Sequence, residues 1–180
     1  TLIPRPETEE LVDWICSEAK TQTPAPCAIL DIGTGSGCIA VSLSKNIAGS
    51  SVSAIDVSED ALEVAESNAS LNNAAIDFFK CDILKEEELP GQYDIIVSNP
   101  PYVRSIEKQS MQPNVLNFEP ASALFVSDNN PLVFYKKIAG LAKTHLKTNG
   151  MLYFEINEYF SEDIVAMLNE FNFKDISVKT

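Results

Sequence analysis

Tyr93-Asp94-Ile95-Ile96-Val97-Ser98-Asn99-Pro100-Pro101-Tyr102 is the stretch whose reading decides the fold. Ile95, Ile96 and Val97 are apolar and β-branched, the mark of a strand buried on both faces. Pro100 and Pro101 end that strand, because a proline removes a backbone donor and restrains φ. A rigid polar turn therefore sits at the carboxyl end of a buried strand, the edge where open α/β sheets bind ligands. Asn99 brings a side-chain carbonyl and the Pro100 carbonyl is held on a restrained backbone, so two acceptors can face one planar NH2 group. Tyr102 adds an aromatic face against which a flat amide or a base would stack. A lone Asn-Pro pair would read as a loop whose Asn satisfies a neighbouring backbone group. The full word behind a buried strand is more specific, and it makes Asn99, Pro100 and Tyr102 the candidate catalytic residues, with Pro101 completing the acceptor site.

Upstream, residues 28–32 read as the first strand and run into Asp31-Ile32-Gly33-Thr34-Gly35-Ser36-Gly37, followed by a helix over residues 38–45. Glycines let a backbone turn sharply and approach a ligand without side-chain obstruction. A second strand over residues 51–55 ends in Asp56, near the spacing of about 20 residues at which an acid accepts hydrogen bonds from ribose hydroxyls. Loop and acid together point to an adenosine-bearing cofactor, against the plainer reading that Asp56 only opens a turn before the Ser58 helix cap. That helix runs to about residue 71, and residues 76–80 form the third strand. Asp82 and Ile83 follow it, an acid for an adenine amine and an apolar side chain for the ring, although Asp82 alone reads equally well as a turn residue.

The remaining segments continue the alternation. Glu7, Glu9 and Glu10 precede Leu11, Ile15 and Ala19, an acidic first turn and four-residue apolar spacing that predict an amphipathic helix. Residues 103–130 are irregular and contain Phe118-Glu119-Pro120 and Ala123-Leu124, which predict an ordered lid over the site. A helix is expected over residues 131–145, a fifth strand over 151–156, a helix over 161–171 and a sixth strand over 174–178. The implied fold is a doubly wound, mostly parallel α/β sheet with helices on both faces.

Composition narrows the function. At 180 residues, 45% of them hydrophobic, the chain suits one domain, and no stretch has membrane-spanning length or a secretory pattern. Cys16, Cys27, Cys38 and Cys81 form no C-x-x-C pair and stand among apolar residues, which predicts free thiols, no metal site and a reducing cytoplasm. His145, the only histidine, sits between Lys143 and Lys147 and reads as a helix-end residue rather than a catalytic one. A net charge of -13, from 13 basic against 26 acidic residues, argues against nucleic acid and for a protein or small-molecule substrate.

Taken together, Pro4-Arg5-Pro6-Glu7-Thr8-Glu9, the loop from Asp31 to Gly37, Asp56, Asn99-Pro100-Pro101-Tyr102 and Phe118-Glu119-Pro120 closely resemble the class I S-adenosylmethionine-dependent methyltransferases that modify peptide chain release factors, often called the HemK or PrmC family. The resemblance covers essentially the whole chain. It implies a Rossmann-like fold and methylation of the side-chain amide nitrogen of the glutamine in the release factor Gly-Gly-Gln motif, with S-adenosylhomocysteine as product. It further implies that Gly33, Thr34, Gly35, Ser36 and Gly37 line the methionine and ribose of the cofactor, with Asp31 in the same loop. Asp56 would hold the ribose, Asp82 and Ile83 flank adenine, and Asn99 to Tyr102 hold the glutamine amide beside the methyl group. Family members usually carry an amino-terminal helical domain and a final antiparallel strand, and neither is expected in this chain, which starts at Thr1 like a fragment. The Asn-Pro-Pro-Tyr word is shared with adenine-specific DNA and some RNA methyltransferases, so an amino group of adenine or guanine is the alternative acceptor. A nicotinamide-dependent dehydrogenase would use a similar loop and acid but leave the two-proline turn unexplained, and a non-catalytic cofactor-binding module is the remaining alternative.

Overall fold

Buried β-branched runs have both edges free to pair, and in this chain they assemble into one parallel sheet. A computed structural model of the protein describes residues 5–22, 26–101, 103–104, 125–126 and 130–179. In chain order the elements are α1 (Pro6–Gln22), β1 (Ala28–Ile32), α2 (Cys38–Asn46), β2 (Ser51–Asp56), α3 (Glu59–Leu71), β3 (Ile76–Lys80), β4 (Tyr93–Ser98), β5 (Val103–Arg104), β6 (Phe125–Val126), α4 (Val133–His145), β7 (Leu146–Phe154) and α5 (Ser161–Glu170). The sheet order is β3-β2-β1-β4-β7, all parallel, and β5 and β6 pair separately. The chain builds outward from β1 through β2 to β3, then returns to lay β4 on the other side of β1. That reversal creates a crevice beyond the carboxyl ends of β1 and β4.

Alternation along the strands sorts the core into two layers. Ile29, Val52, Ala54, Ile95 and Val97 pack with Leu11 and Ile15 of α1 and Ile39 and Leu43 of α2. Leu30, Ile32, Ile55 and Ile96 pack with Ile138, Leu141 and Ala142 of α4. A further layer joins Tyr135 and Ala139 of α4 to Ile164 and Met167 of α5. Ile95, Ile96 and Val97 are completely buried, and each contributes about 1.5–3 kcal/mol by that burial. Ser58 caps α3 as expected, its hydroxyl accepting from Ala61 N at 3.3 Å.

One carboxylate docks α1 on the far edge of the sheet. Glu18 accepts from Tyr153 Oη at 2.6 Å and from Trp14 Nε1 at 2.8 Å, and the two rings meet edge to face with centroids 5.6 Å apart. The Tyr153 bond is the main reason the Glu18 carboxyl titrates below its ordinary value. His145 ends α4 in a structural role: Leu89 N donates to its Nε2 at 3.1 Å, and its Nδ1 lies 2.7 Å from Gly91 O, so the two ring nitrogens together hold residues 89–91.

Two expectations are corrected. The strand predicted to begin at residue 151 begins at Leu146, which pairs with Tyr93 ahead of an irregularity in the ladder; Asn149, at φ 63, interrupts the apolar pattern there. The strand predicted over residues 174–178 does not form. Asn172 and Asp175 take φ values of 67 and 53, which no extended strand allows, and the tail instead brings Lys179 Nζ to 4.0 Å from the centre of the Trp14 ring. Of the predicted lid, Phe118-Glu119-Pro120 and Ala123-Leu124 lie outside the described residues. No helix among the described residues is long and apolar enough to cross a membrane.

Tyr153→Phe deletes the hydroxyl that Glu18 receives and is expected to lower unfolding free energy by about 1.5–3 kcal/mol. Chemical denaturation measures this, and an unchanged midpoint would show that the bond contributes nothing to docking α1.

Candidate active site

The site grows from the problem of leaving β1. The chain must turn at once into α2, and the carbonyl of Ile55 anchors the turn by accepting from Gly33 N at 2.8 Å and Thr34 N at 3.0 Å. Gly37 N donates to Thr34 O at 2.9 Å and Asn68 Nδ2 to Ser36 O at 2.9 Å, so the loop is held from two sides. Gly37 has φ 78 and a Cβ there would lie 3.0 Å from Ala65 Cβ, a close packing of α2 against α3. Gly33 and Gly35 also have positive φ, 73 and 57, yet a Cβ at either would meet no described protein atom within 4 Å. Their bare backbone borders open space, as a cradle for a ligand would.

Acids surround that cradle. Asp56 Oδ2 accepts from Gly35 N at 2.9 Å and Oδ1 from Ser58 N at 2.9 Å. Asp56 therefore does open the turn before the helix cap, and it also shapes the glycine loop. Asp31 is fully buried, with Oδ2 accepting from Thr34 Oγ1 at 2.6 Å and Oδ1 left without a hydrogen-bond partner among the described residues. Burial pushes its carboxyl up to about 7 from an ordinary 3.8, against the lowering effect of Thr34 and Ala40 N–H and with a smaller upward push from Asp56. A buried acceptor without a donor beside a bare backbone loop suits a ligand that carries a cationic amine.

The next strand brings Asp82 and Ile83 to the same sheet edge, Cys81 N donating to Asp56 O at 2.8 Å. Asp82 is engaged locally, by Lys85 Nζ at 2.7 Å and Leu84 N at 3.3 Å, and the Lys85 bond is the main reason its carboxyl lies below the ordinary value. Ile83 is buried and belongs to the core cluster of Leu30, Ile32 and Ile55. Across β1, the turn of Asn99, Pro100 and Pro101 leaves β4 beside the start of the glycine loop: Ile32 pairs with Ser98, and Ser98 Oγ donates to Ile32 O at 2.7 Å. Tyr102 lies outside the described residues.

The sequence reading missed the residues behind Asn99. Glu155, just past β7 and 8% exposed, accepts from Thr8 Oγ1 at 2.6 Å. Its backbone is fixed as well, N–H donating to Ser98 O at 3.0 Å and C=O accepting from Tyr135 Oη at 3.1 Å. Burial raises its carboxyl above the ordinary range, opposed by the Thr8 bond, the polar side chain of Asn99 and the charge of Arg5. An acid closing an apolar strand is the signal that marks Asp56, and Leu152-Tyr153-Phe154-Glu155 repeats it. Among the described residues no group of three or more His, Cys, Asp or Glu is arranged to hold a metal, and the four cysteines are free.

Comparison with known proteins gives a family and a fold. Residues 18–123 match the family model described as methyltransferase small domain. The release factor glutamine methyltransferase of Flavobacterium psychrophilum is 55% identical over 99% of this chain and 63% of that protein. Its counterpart from Bacteroides thetaiotaomicron is 48% identical over 98% of this chain and 63% of that protein. The chain thus spans somewhat less than two thirds of these relatives' length. The crystal structure of a ribosomal protein L11 methylase from Lactobacillus delbrueckii subsp. bulgaricus matches 99% of this chain and 75% of that one with a TM-score of 0.68 at 23% identity, a likeness of fold.

Asp31 generates a pH dependence whose sign is fixed. Its folded value of about 7 exceeds the ordinary 3.8, so between these limits the folded chain keeps a proton that the unfolded chain has lost, and stability falls as pH rises. Asp31→Asn is expected to flatten the fall in melting temperature across that window. Identical pH profiles for parent and variant would contradict the assignment.

Proposed function

The chain belongs to the methyltransferase small-domain family, and from that premise we propose that it transfers a methyl group from S-adenosylmethionine to the side-chain amide nitrogen of the glutamine in the Gly-Gly-Gln motif of peptide chain release factors. The observation that carries this reading is the placement of the Asn99-Pro100-Pro101 turn beside the glycine loop, at the reversal of the strand order and tied to it by Ser98. The names of the relatives at 55% and 48% identity support the substrate. The net charge of -13 favours a protein acceptor over the phosphate backbone of a nucleic acid. A cytoplasmic setting suits four free thiols and a substrate from translation termination.

The residues present fit the cofactor. Gly33 to Gly37 would present bare backbone to its methionine and ribose, Asp31 Oδ1 would receive its amine, Asp56 would accept from ribose, and Asp82 and Ile83 would stand at the adenine end. When bound, S-adenosylmethionine supplies a methyl group already activated by the sulfonium charge. The protein's own contribution is then orientation, because an amide nitrogen is a poor nucleophile whose lone pair is delocalised. Asn99 Oδ1 and the Pro100 carbonyl accept the two N–H bonds of the acceptor amide and hold its nitrogen in a near-attack position. The same acceptors favour the positive charge that develops on nitrogen. Neither a metal ion nor a covalent enzyme intermediate is required by this arrangement.

Incubation of the full-length protein with methyl-labelled S-adenosylmethionine, release factor and nucleic acid side by side tests the reading. Label is expected in release factor and lost when its motif glutamine is replaced; label in nucleic acid alone would assign the other acceptor. Asn99→Ala is expected to reduce transfer at least about 100-fold. It should leave the thermal transition and the cofactor affinity nearly unchanged. A variant that methylates at the parent rate would make Asn99 structural.

A further inference from the structure

We infer that Asn68 of α3 is a positioning residue for the cofactor cradle, locking one peptide of the glycine loop in the orientation that binding requires; the inference rests on the methyl-transfer reading above. The loop is held in two halves. Its first half is fixed from β2, where Ile55 O accepts from Gly33 N at 2.8 Å and Thr34 N at 3.0 Å, and Asp56 Oδ2 accepts from Gly35 N at 2.9 Å. Its second half is fixed from α3. There Asn68 Nδ2 donates to Ser36 O at 2.9 Å, and a Cβ on Gly37 would lie 3.0 Å from Ala65 Cβ.

The peptide between Ser36 and Gly37 needs such a hold. In a planar trans peptide the C=O and N–H point in opposite directions; here the carbonyl meets Asn68, while Gly37 N donates to Thr34 O at 2.9 Å. Turning that peptide over would carry Gly37 from φ 78 to negative φ, and glycine occupies both regions about equally readily. Backbone preference at Gly37 therefore does not choose between the two orientations. Thr34 O lies in the loop and can move with it, whereas Asn68 stands on a helix outside it. Asn is among the poorer helix formers, so forming α3 gives no reason for it at this position. Its spacing of three from the buried Ala65 puts it on the face that meets the loop. The plainer alternative is that Asn68 only fills space between α3 and the loop. The two readings differ in one atom, because only the inference needs the donor.

The test uses the full-length protein and calorimetric titration with S-adenosylhomocysteine. Asn68→Leu keeps a similar size and removes the donor. It is expected to raise Kd at least about tenfold, since a cradle that holds the right shape only part of the time binds more weakly by that fraction. The turnover of the same variant at saturating S-adenosylmethionine should stay within about twofold of the parent, a loss in binding rather than in the step that follows it. Asn72→Ala is the control: it deletes a 2.8 Å bond from Asn72 Nδ2 to Asn68 O at the same helix end and leaves the donor to Ser36 in place. Its Kd should stay within about twofold of the parent. A parent-like Kd in Asn68→Leu, or an equal loss in both variants, overturns the inference. Nitrogen-15 NMR of the ligand-free parent adds a reading that needs no variant: the Asn68 side-chain NH2 protons should exchange slowly, and exchange as fast as that of a solvated amide overturns the inference even if Asn68→Leu fails to fold. A parent that binds no S-adenosylhomocysteine overturns the cofactor reading and this inference with it, whereas a binding parent matched by Asn68→Leu overturns this inference alone.

Discussion

A central parallel strand is paired on both edges and covered on both faces, so only its ends are open. β1 is that strand here. Its partners lie on opposite sides, β2 and β3 on one, β4 and β7 on the other, and α2 and α4 pack on opposite faces of the sheet. A crevice beyond the carboxyl ends of β1 and β4 follows from this topology before any side chain is chosen. The Ser98 hydroxyl on the Ile32 carbonyl at 2.7 Å then fixes the separation of the two loops. Every functional assignment above depends on that fixed separation, because orienting one group against another requires both to stand on the same rigid edge.

Burying acids at this edge is costly, and the ways the cost is offset differ instructively. Asp56 has donors on both oxygens, Gly35 and Ser58, and uses them to shape the loop. Glu155 accepts from Thr8, which ties it to α1. Of these three acids only Asp31 retains a buried oxygen without a partner among the described residues. Folding by itself gives no reason to keep such an atom, since an unsatisfied buried acceptor opposes stability. A ligand that donates there would remove the penalty, which couples occupancy of the site to stability of the fold.

Much of this was legible in the sequence, where local pattern and tertiary context agree. Residues 28–32 and 76–80 are strands at the expected boundaries, and the glycine loop and the two-proline turn emerge at the same sheet edge. Ile176 and Val178 alternate as a strand should, but Asp175 turns the chain out of extended conformation, and no local pattern announces a positive φ at an acid. Glu155 and Thr8 were invisible as a pair because they are 147 residues apart, and only the packing of α1 on β7 brings them together. The plainer reading of Asp82 as a turn residue was legible, and its bonds to Lys85 and Leu84 fit it, since a turn acid and a ligand-binding acid look alike in one dimension.

The claim that ligand chemistry occurs at the reversal of the strand order has one direct test. Backbone and side-chain nitrogen-15 spectra of the full-length protein should be recorded during titration with S-adenosylhomocysteine. The account predicts that the signals which move belong to Gly33 through Gly37, Asp56 and its neighbour Val57, Cys81 through Ile83, and Asn99. Shifts confined to the groove between α1 and α2, lined by Val12, Ser42 and Asn46, or no shifts at saturating ligand, would contradict it.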